Sequence, residues 1–121
     1  MAVLETGLLV ATVGCVLANS FEVVAKAVRA EFVLRNCAEV GVARRWIPHL
    51  AVLEGAGVAG LVLGLLGLPL LGLTAAAGLV LFFVGAVIVH IRARVLYNIA
   101  FPLAFLGLAV AAAAHFARST G

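Results

Sequence analysis

The chain has 121 residues, of which 66% are hydrophobic and 11% are charged, and its formal net charge at pH 7 is +3. So apolar a composition excludes a water-soluble domain, which must cover its surface with polar side chains, and it predicts an integral membrane protein in contact with the lipid bilayer. The basic residues do not form a patch interleaved with aromatic residues, so a nucleic-acid-binding protein is excluded as well.

Four apolar runs follow one another along the chain. They are Gly7–Ala25, Ile47–Leu66, Leu70–Ile91 and Ile99–Phe116. Each is close to the roughly 20 residues that a helix needs to cross a hydrocarbon core, and none alternates with the two-residue period of a barrel strand. The sequence therefore predicts an all-α fold, a transmembrane four-helix bundle, in which residues 1–121 form a single domain.

Prolines mark the boundaries of these spans. Pro48 fits the first turn of the second span, where its missing N–H costs nothing, and "GLPL" at residues 67–70 leaves only a tight turn before the third span. Spans 2 and 3 should therefore form an antiparallel hairpin. Pro102 lies in the first turns of the fourth span, which it either starts late or kinks, and a late start is favoured.

The connection between spans 1 and 2 is the longest and has a helical pattern. One face of a helical wheel carries Ala30, Val33, Leu34, Cys37 and Ala38, and the other carries Arg29, Glu31, Arg35, Asn36 and Glu39. This pattern is typical of an amphipathic helix lying in the membrane interface, although Phe32 breaks it. The alternative is that span 1 continues as a solvated helical end. Gly41 would stop the helix in either case.

Seven of the eight Lys and Arg residues lie in the connections between spans 1 and 2 and between spans 3 and 4, and the exception is Arg118. The positive-inside rule places both basic connections in the cytoplasm. Both termini are then predicted to lie outside a multi-pass protein of the cell membrane.

Neither a metal nor a cofactor site is predicted. The three histidines and two cysteines lack the spacing of ligands around one centre, and no signature for haem, flavin, nucleotide or iron–sulfur binding occurs. Cys15 and Cys37 also lack Cys-x-x-Cys spacing, and they are interpreted as small apolar residues.

Polar side chains recur at a similar depth in all four spans. They are Asn19, Glu22 and Lys26 on one face of span 1, Glu54 in span 2, His90 at the end of span 3, and Tyr97 and Asn98 at the start of span 4. An isolated charge in hydrocarbon costs about 2.5 to 3.5 kcal/mol on insertion scales, so these groups should face inward, pair, or line a wet cavity. The sequence therefore predicts a buried polar cluster.

Two interpretations of this cluster compete. In the first, carboxylates pair with basic groups and only fix the helix register; the carboxylates are Glu22 and Glu54, and the basic groups are Lys26, Arg92 and Arg94. In the second, Glu54 is a desolvated general acid or base, and Lys26 or His90 polarises the substrate. His90 itself is expected to be an interfacial histidine near the two arginines.

Small residues recur at four-residue spacing on span 2, at Ala56, Gly60 and Gly64, and allow close helix approach. At about 100° per residue, this row lies about 200° from Glu54 at Ala56 and about 280° at Gly64. The row therefore faces a different neighbour from Glu54, either another span or another protein chain.

Several segments together resemble the DoxX-like family. They are "SFEVVAK", "EVGVARRWIP", "HLAVLEGAG", the glycine-broken hairpin, "HIRAR" and a proline-bearing fourth span, so the resemblance covers nearly the whole chain. It implies a four-helix membrane protein in which Lys26 pairs with Glu54. The chain departs from the family at Glu22 and Val23, where many relatives have glycine near this position.

The resemblance implies a functionally diverse family. Some relatives are small subunits of a thiosulfate:quinone oxidoreductase, some accompany enzymes of oxidative defence, and animal relatives assist receptor assembly. The first expectation is an accessory or assembly subunit of a membrane system, such as a quinone-linked redox system. It would bind a partner protein, or a second copy, through the small-residue row and the basic connection. The alternative is a membrane enzyme acting by acid/base chemistry on an apolar polyketide, terpenoid or quinone-like substrate held in the bundle.

Overall fold

The computed structural model describes residues 2–120, within which the chain forms five α-helices. They are α1 (Ala2–Ala27), α2 (Glu31–Glu39), α3 (Ile47–Leu65), α4 (Pro69–Arg92) and α5 (Ala100–Thr120), and a one-turn 3-10 helix at Arg44–Trp46 leads into α3. Helices α1, α3, α4 and α5 are long and apolar enough to cross a membrane. The predicted all-α bundle of four spans, with a short helix between the first two, is confirmed.

The four spans form a ring in which α1 packs against α3 and α5, and α4 packs against the same two helices. Short connections between antiparallel helices produce such an arrangement, because spans that are consecutive in the chain become neighbours. The C-terminal ends of α1 and α4 and the N-terminal ends of α3 and α5 therefore meet at one end of the bundle. Since α2 also lies there, we call it the α2 end.

Glycines let α3 and α4 come into contact. A Cβ at Gly64 would lie 2.6 Å from the Cα of Gly72, and the ring of Phe116 fills the space beside both glycines. Gly60 faces Ala75 of α4 in the same way. These glycines therefore carry the packing of the α3–α4 hairpin.

The predicted small-residue row is divided between two environments. Gly60 and Gly64 are buried against α4 of the same chain, whereas Ala56 is exposed. The reason is the drift of a four-residue repeat around a helix that has 3.6 residues per turn. Two of the three positions are therefore occupied within the bundle.

Helix α2 packs most of its predicted apolar face on the bundle, although Ala38 of that face is exposed. Val33 and Cys37 are buried together with Ala25 of α1 and Ile47 of α3. The alternative of a solvated continuation of α1 is wrong, because α1 ends at Ala27 and the chain turns before α2 begins.

Phe32, which breaks the amphipathic pattern, stacks on Phe21 of α1. The two rings are parallel to within 7°, and their centroids are 6.1 Å apart. Phe32 of α2 therefore contacts α1 at the surface of the bundle, because the rings of both Phe21 and Phe32 are exposed.

Four of the helices, α1 to α4, end in a Schellman motif, in which the two amides after the helix donate to carbonyls of its last turn. The residue in the left-handed conformation is Gly41 after α2, with φ = 80°, and Gly67 after α3, with φ = 122°. It is Arg29 after α1, with φ = 54°, and Arg94 after α4, with φ = 58°. Gly41 stops α2 as predicted, whereas the two arginines adopt a conformation that favours glycine.

The prolines lie in first turns, where a helical amide has no intrahelical acceptor. Pro48 is the second residue of α3, Pro69 is the first of α4, and Pro102 is the third of α5. Helix α5 begins at Ala100, one residue after the predicted start of the fourth span, and Pro102 lies within its first turn.

Candidate functional site

Lys26, near the C-terminus of α1, binds two carboxylates. Its Nζ donates to Oε1 of Glu54 at 2.7 Å and to Oε2 of Glu22 at 3.4 Å. The side chain of Glu54 is 0% exposed, and those of Lys26 and Glu22 are 12% and 25% exposed. The pairing of Lys26 with Glu54 that the resemblance implies is therefore present, and Glu22 joins it.

The positions of these three residues explain the contact. Glu22 and Lys26 are four residues apart on α1, so their side chains lie one above the other. Glu54 faces α1 from the start of the third turn of α3, where the helices are close: a Cβ at Gly55 would lie 3.6 Å from Cγ1 of Val23. Close packing of α1 and α3 thus brings the carboxylate of Glu54 to the lysine.

A cavity of about 420 Å³ lies beside Lys26 at the α2 end. Pockets for small molecules typically measure about 300 to 1,000 Å³. Its polar wall residues are Glu22, Lys26, Asn36 and His90, and its aromatic ones are Phe82, Phe83, Phe101 and Phe105, four of the seven phenylalanines in the chain. Glu54 is not part of the wall, so Lys26 is the member of the ion pair that a ligand would meet.

The cavity opens on the outer surface of the bundle. Leu81 and Gly85 of α4 and Phe101 of α5 border it, and all three are exposed. Since α4 and α5 are spans, this opening faces the apolar environment around the bundle. An apolar molecule could therefore reach the cavity from the bilayer.

His90 lies in the cavity wall and is 4% exposed. Its Nδ1 is 2.7 Å from the carbonyl oxygen of Ala86. Because a carbonyl can only accept, Nδ1 carries the proton of the neutral ring, and Nε2 is left as an acceptor. Among residues 2–120, this buried Nε2 has no hydrogen-bond partner.

The sequence predicts an interfacial histidine near Arg92 and Arg94, whereas the structure buries the His90 side chain within the bundle. His90 follows the buried Phe83 by seven residues and Ala86 by four, so all three share the inner face of α4. The arginines come after this last inner position and are exposed.

A model of the DoxX-like family matches residues 10–112. The chain belongs to the DoxX-like family. No curated protein and no solved structure matches it. The matched region contains Lys26, Glu54 and His90, and it covers most of the four spans. This DoxX-like chain is therefore a multi-pass membrane protein with apolar helices suited to a lipid bilayer.

The structure of the DoxX-like chain does not bring Arg92 or Arg94 to the polar cluster. Both are exposed, and within the described residues neither forms an ion pair. The physical reason is that α4 ends at Arg92, so these long side chains extend from the helix end instead of into the bundle. Lys26 is the basic group that pairs with the buried carboxylate.

Tyr97 and Asn98 form a separate contact, which we call the α2 clasp. The Tyr97 hydroxyl donates to Oε1 of Glu39 at 2.6 Å, and Nδ2 of Asn98 donates to Oδ1 of Asn36 at 3.0 Å. The hydrogen bond to the Glu39 carboxylate raises the pKa of Tyr97. The α4–α5 connection thus binds Glu39 and Asn36 on the predicted polar face of α2, and through Asn36, which also lines the cavity, the α2 clasp reaches the cavity wall.

Asn19 is fully buried, as the inward-facing row on α1 requires. Its Nδ2 donates to the carbonyl oxygen of Cys15 at 2.9 Å, one turn earlier. Two oxygen atoms near this position have no hydrogen-bond partner in the described part of the chain: Oδ1 of Asn19 and Oε2 of Glu54. Buried polar atoms without partners are uncommon, and Glu54 and His90 each bring one to the surroundings of the cavity.

The other chemical groups of the chain give no sign of a metal centre. Within residues 2–120, no group of three or more His, Cys, Asp or Glu residues could hold a metal ion. Cys15 and Cys37 are free and buried, and burial raises the pKa of Cys37 despite the opposing charge of Lys26. Cys37 nevertheless lies in the cavity wall, so its thiol can report on what occupies the cavity.

Sequence reasoning missed the cavity and its aromatic wall. Phe101 and Phe105 are four residues apart on α5, and Phe82 and Phe83 are adjacent on α4. The spacing on α5 indicates a shared helix face. The empty volume between these faces depends on how the spans pack, and no local pattern encodes it.

Proposed function

We propose that this DoxX-like protein binds a small apolar molecule from the bilayer in the cavity beside Lys26. The observation that carries the proposal is a cavity of ligand size with an aromatic wall, an ammonium group and a buried imidazole nitrogen that has no partner among residues 2–120. Apolar pockets with a few convergent polar groups are the common form of a small-molecule site. The lateral opening between exposed residues of α4 and α5 supports uptake from the bilayer.

The same groups support acid/base chemistry on the bound molecule. Nε2 of His90 can accept a proton, and the Lys26 ammonium can polarise an oxygen. Glu54 does not border the cavity, so we assign it the role of a positioning residue that holds the Lys26 ammonium in place. This assignment differs from the expected role of Glu54 as the general acid or base.

The geometry gives less support to the accessory or assembly role. A partner protein or a second copy was expected to bind through the small-residue row and the basic connection, but Gly60 and Gly64 of that row pack against α4 of the same chain. We therefore favour ligand binding over partner binding.

A cavity-filling substitution tests the proposal. Gly85 borders the cavity, and a Cβ built there meets no atom within 4 Å. Gly78 is the control position: a Cβ built there also meets no atom within 4 Å, but Gly78 lies two turns earlier on α4, is exposed, and is not part of the cavity wall. We expect wild type and Gly78→Phe, purified in mild detergent, to retain an apolar small molecule at about one per chain. Gly85→Phe should lose it, as measured by mass spectrometry of solvent extracts.

Equal amounts of extracted molecules from the Gly85→Phe and Gly78→Phe variants would contradict the proposal, because they would show lipid bound only to the outer surface. The accessory role would instead be favoured if the wild type and both variants were recovered with another protein in stoichiometric amount and without a small molecule.

We also propose that the α2 end faces the cytoplasm and that both termini lie outside the cell membrane, since Lys and Arg are concentrated in the two connections at that end. In cells, a cysteine introduced at Ala43 or Ala93 should react with a membrane-impermeant maleimide only after permeabilisation. A cysteine at Ser119, at the other end of the bundle, should react without it. The buried Cys15 and Cys37 of the wild type give the background. The reverse pattern would refute this orientation.

A further inference from the structure

We infer that the cavity selects an uncharged apolar molecule that bears a hydroxyl group, best a phenol, whose O–H donates to Nε2 of His90. This inference rests on the proposed function, to which it adds the chemical class of the ligand.

The charges around the cavity disfavour an ionised ligand. Lys26 shares its one positive charge between Glu22 and Glu54. Whether or not Glu54 is protonated, the cluster has no positive charge left to compensate an anion. A cation would meet the Lys26 ammonium in the wall beside Glu22, the one carboxylate that lines the cavity. Because an uncompensated charge is costly to remove from water, a neutral molecule fits best.

The hydrogen-bonding groups require a donor on the ligand. In the neutral ring Nε2 of His90 is an acceptor, since Nδ1 holds the proton against the carbonyl of Ala86, and Nε2 has no partner in the described structure. A buried acceptor gains from any donor that reaches it. The Lys26 ammonium has three N–H donors, and two of them point at carboxylates. The third can donate to an oxygen of the ligand that binds His90.

The aromatic wall favours a ring on the ligand. Phe82 and Phe83 of α4 and Phe101 and Phe105 of α5 border the cavity, and Phe83 lies 5.3 Å from Phe105 between centroids. Aromatic rings at such distances pack edge-to-face or offset, and a planar ligand ring can join them in the same way. A phenol combines this ring with the required neutral O–H donor.

Three probes with the same hydrocarbon body test the inference: para-heptylphenol, para-heptylanisole and para-heptylbenzoate. The full chain is reconstituted in nanodiscs, and each probe is compared at equal measured mole fraction in the bilayer. Occupancy is read from the rise of the unfolding midpoint, which reports binding to the folded state. Slower modification of Cys37 by N-ethylmaleimide places the probe in the cavity, and the fully buried Cys15 serves as the internal control.

We expect the phenol to bind about tenfold more tightly than the methyl ether, which is the size of one net hydrogen bond, and the benzoate to bind more weakly than the phenol. In His90→Phe, which keeps a ring of similar size, the ratio of phenol to ether affinity should fall to about one, as expected when the Nε2 acceptor is removed. His90→Gln, which restores an acceptor, should recover part of the preference. If neither variant folds, the ratio of phenol to ether affinity in the wild type alone tests the inference.

Equal affinity of the wild type for phenol and ether would overturn this inference and leave the proposed function standing, because both probes would still protect Cys37. Tighter binding of the benzoate would overturn it as well, by showing that the site compensates an anion. Absence of any stabilisation or protection by all three probes would overturn the inference together with the proposed function.

Discussion

Lys26→Met is expected to lower the free energy of unfolding by about 3 to 5 kcal/mol, because it leaves the fully buried Glu54 carboxylate without its cationic partner. Glu54→Gln should cost less, about 1 to 3 kcal/mol, since Lys26 keeps Glu22 and the glutamine oxygen can still accept a hydrogen bond. Denaturant or thermal unfolding in detergent measures both values. Arg92→Met, at an exposed position, is the control and should change stability by no more than about 0.5 kcal/mol.

The double variant Lys26→Met/Glu54→Met separates stability from function. Replacing a buried ion pair by apolar side chains of similar volume is often neutral or stabilising, so the double variant should recover most of the stability lost in Lys26→Met. If Lys26 contacts the ligand, this stable protein should still fail to retain it. A double variant that is stable and binds normally would show that the pair only fixes the packing of α1 on α3.

Gly64→Ala is expected to destabilise the protein by about 1 to 3 kcal/mol, because the added methyl group overpacks the α3–α4 contact. The new Cβ would lie 2.6 Å from the Cα of Gly72 and 2.8 Å from the Phe116 ring, so the helices must move apart. Gly78→Ala, where a Cβ meets nothing within 4 Å, should instead be neutral or stabilise by up to about 1 kcal/mol, the difference in helix propensity.

Thermal unfolding of the two glycine variants in the same detergent gives the comparison. Similar midpoints for Gly64→Ala and Gly78→Ala would mean that the hairpin has room for a methyl group at Gly64. The result would then reopen this part of α3 as a surface for another chain.

The spans could be predicted from the sequence because the thickness of a bilayer limits the length of an apolar helix. Helix α3 ends one residue before the predicted Leu66, and α4 extends the predicted range by one residue at each end. The ends of α1 are less well predicted: it begins at Ala2 instead of Gly7. At the N-terminal end of α1, the apolar content of the sequence alone does not indicate where the helix starts.

The candidate site could be predicted only where its contacts are local or were implied by the family resemblance. Glu22 and Lys26 meet because they are four residues apart, and the partnership of Lys26 with Glu54 came from the resemblance. The α2 clasp joins residues 58 and 62 positions apart, and its geometry depends on where α2 docks. The inward direction of His90 could have been read from its spacing to the apolar Phe83 and Ala86, but the spacing to two arginines suggested an interface.

Arg29 and Arg94 terminate α1 and α4 in a left-handed backbone conformation that glycine would adopt with less strain. Their side chains also place positive charge beside helix C-termini, whose exposed carbonyls attract cations, and they contribute to the charge bias that sets membrane orientation. Glycine at either position would relax the turn but weaken the bias. At these two positions, ease of folding and the proposed membrane orientation therefore favour different amino acids, and the chain has the residue that suits the proposed orientation.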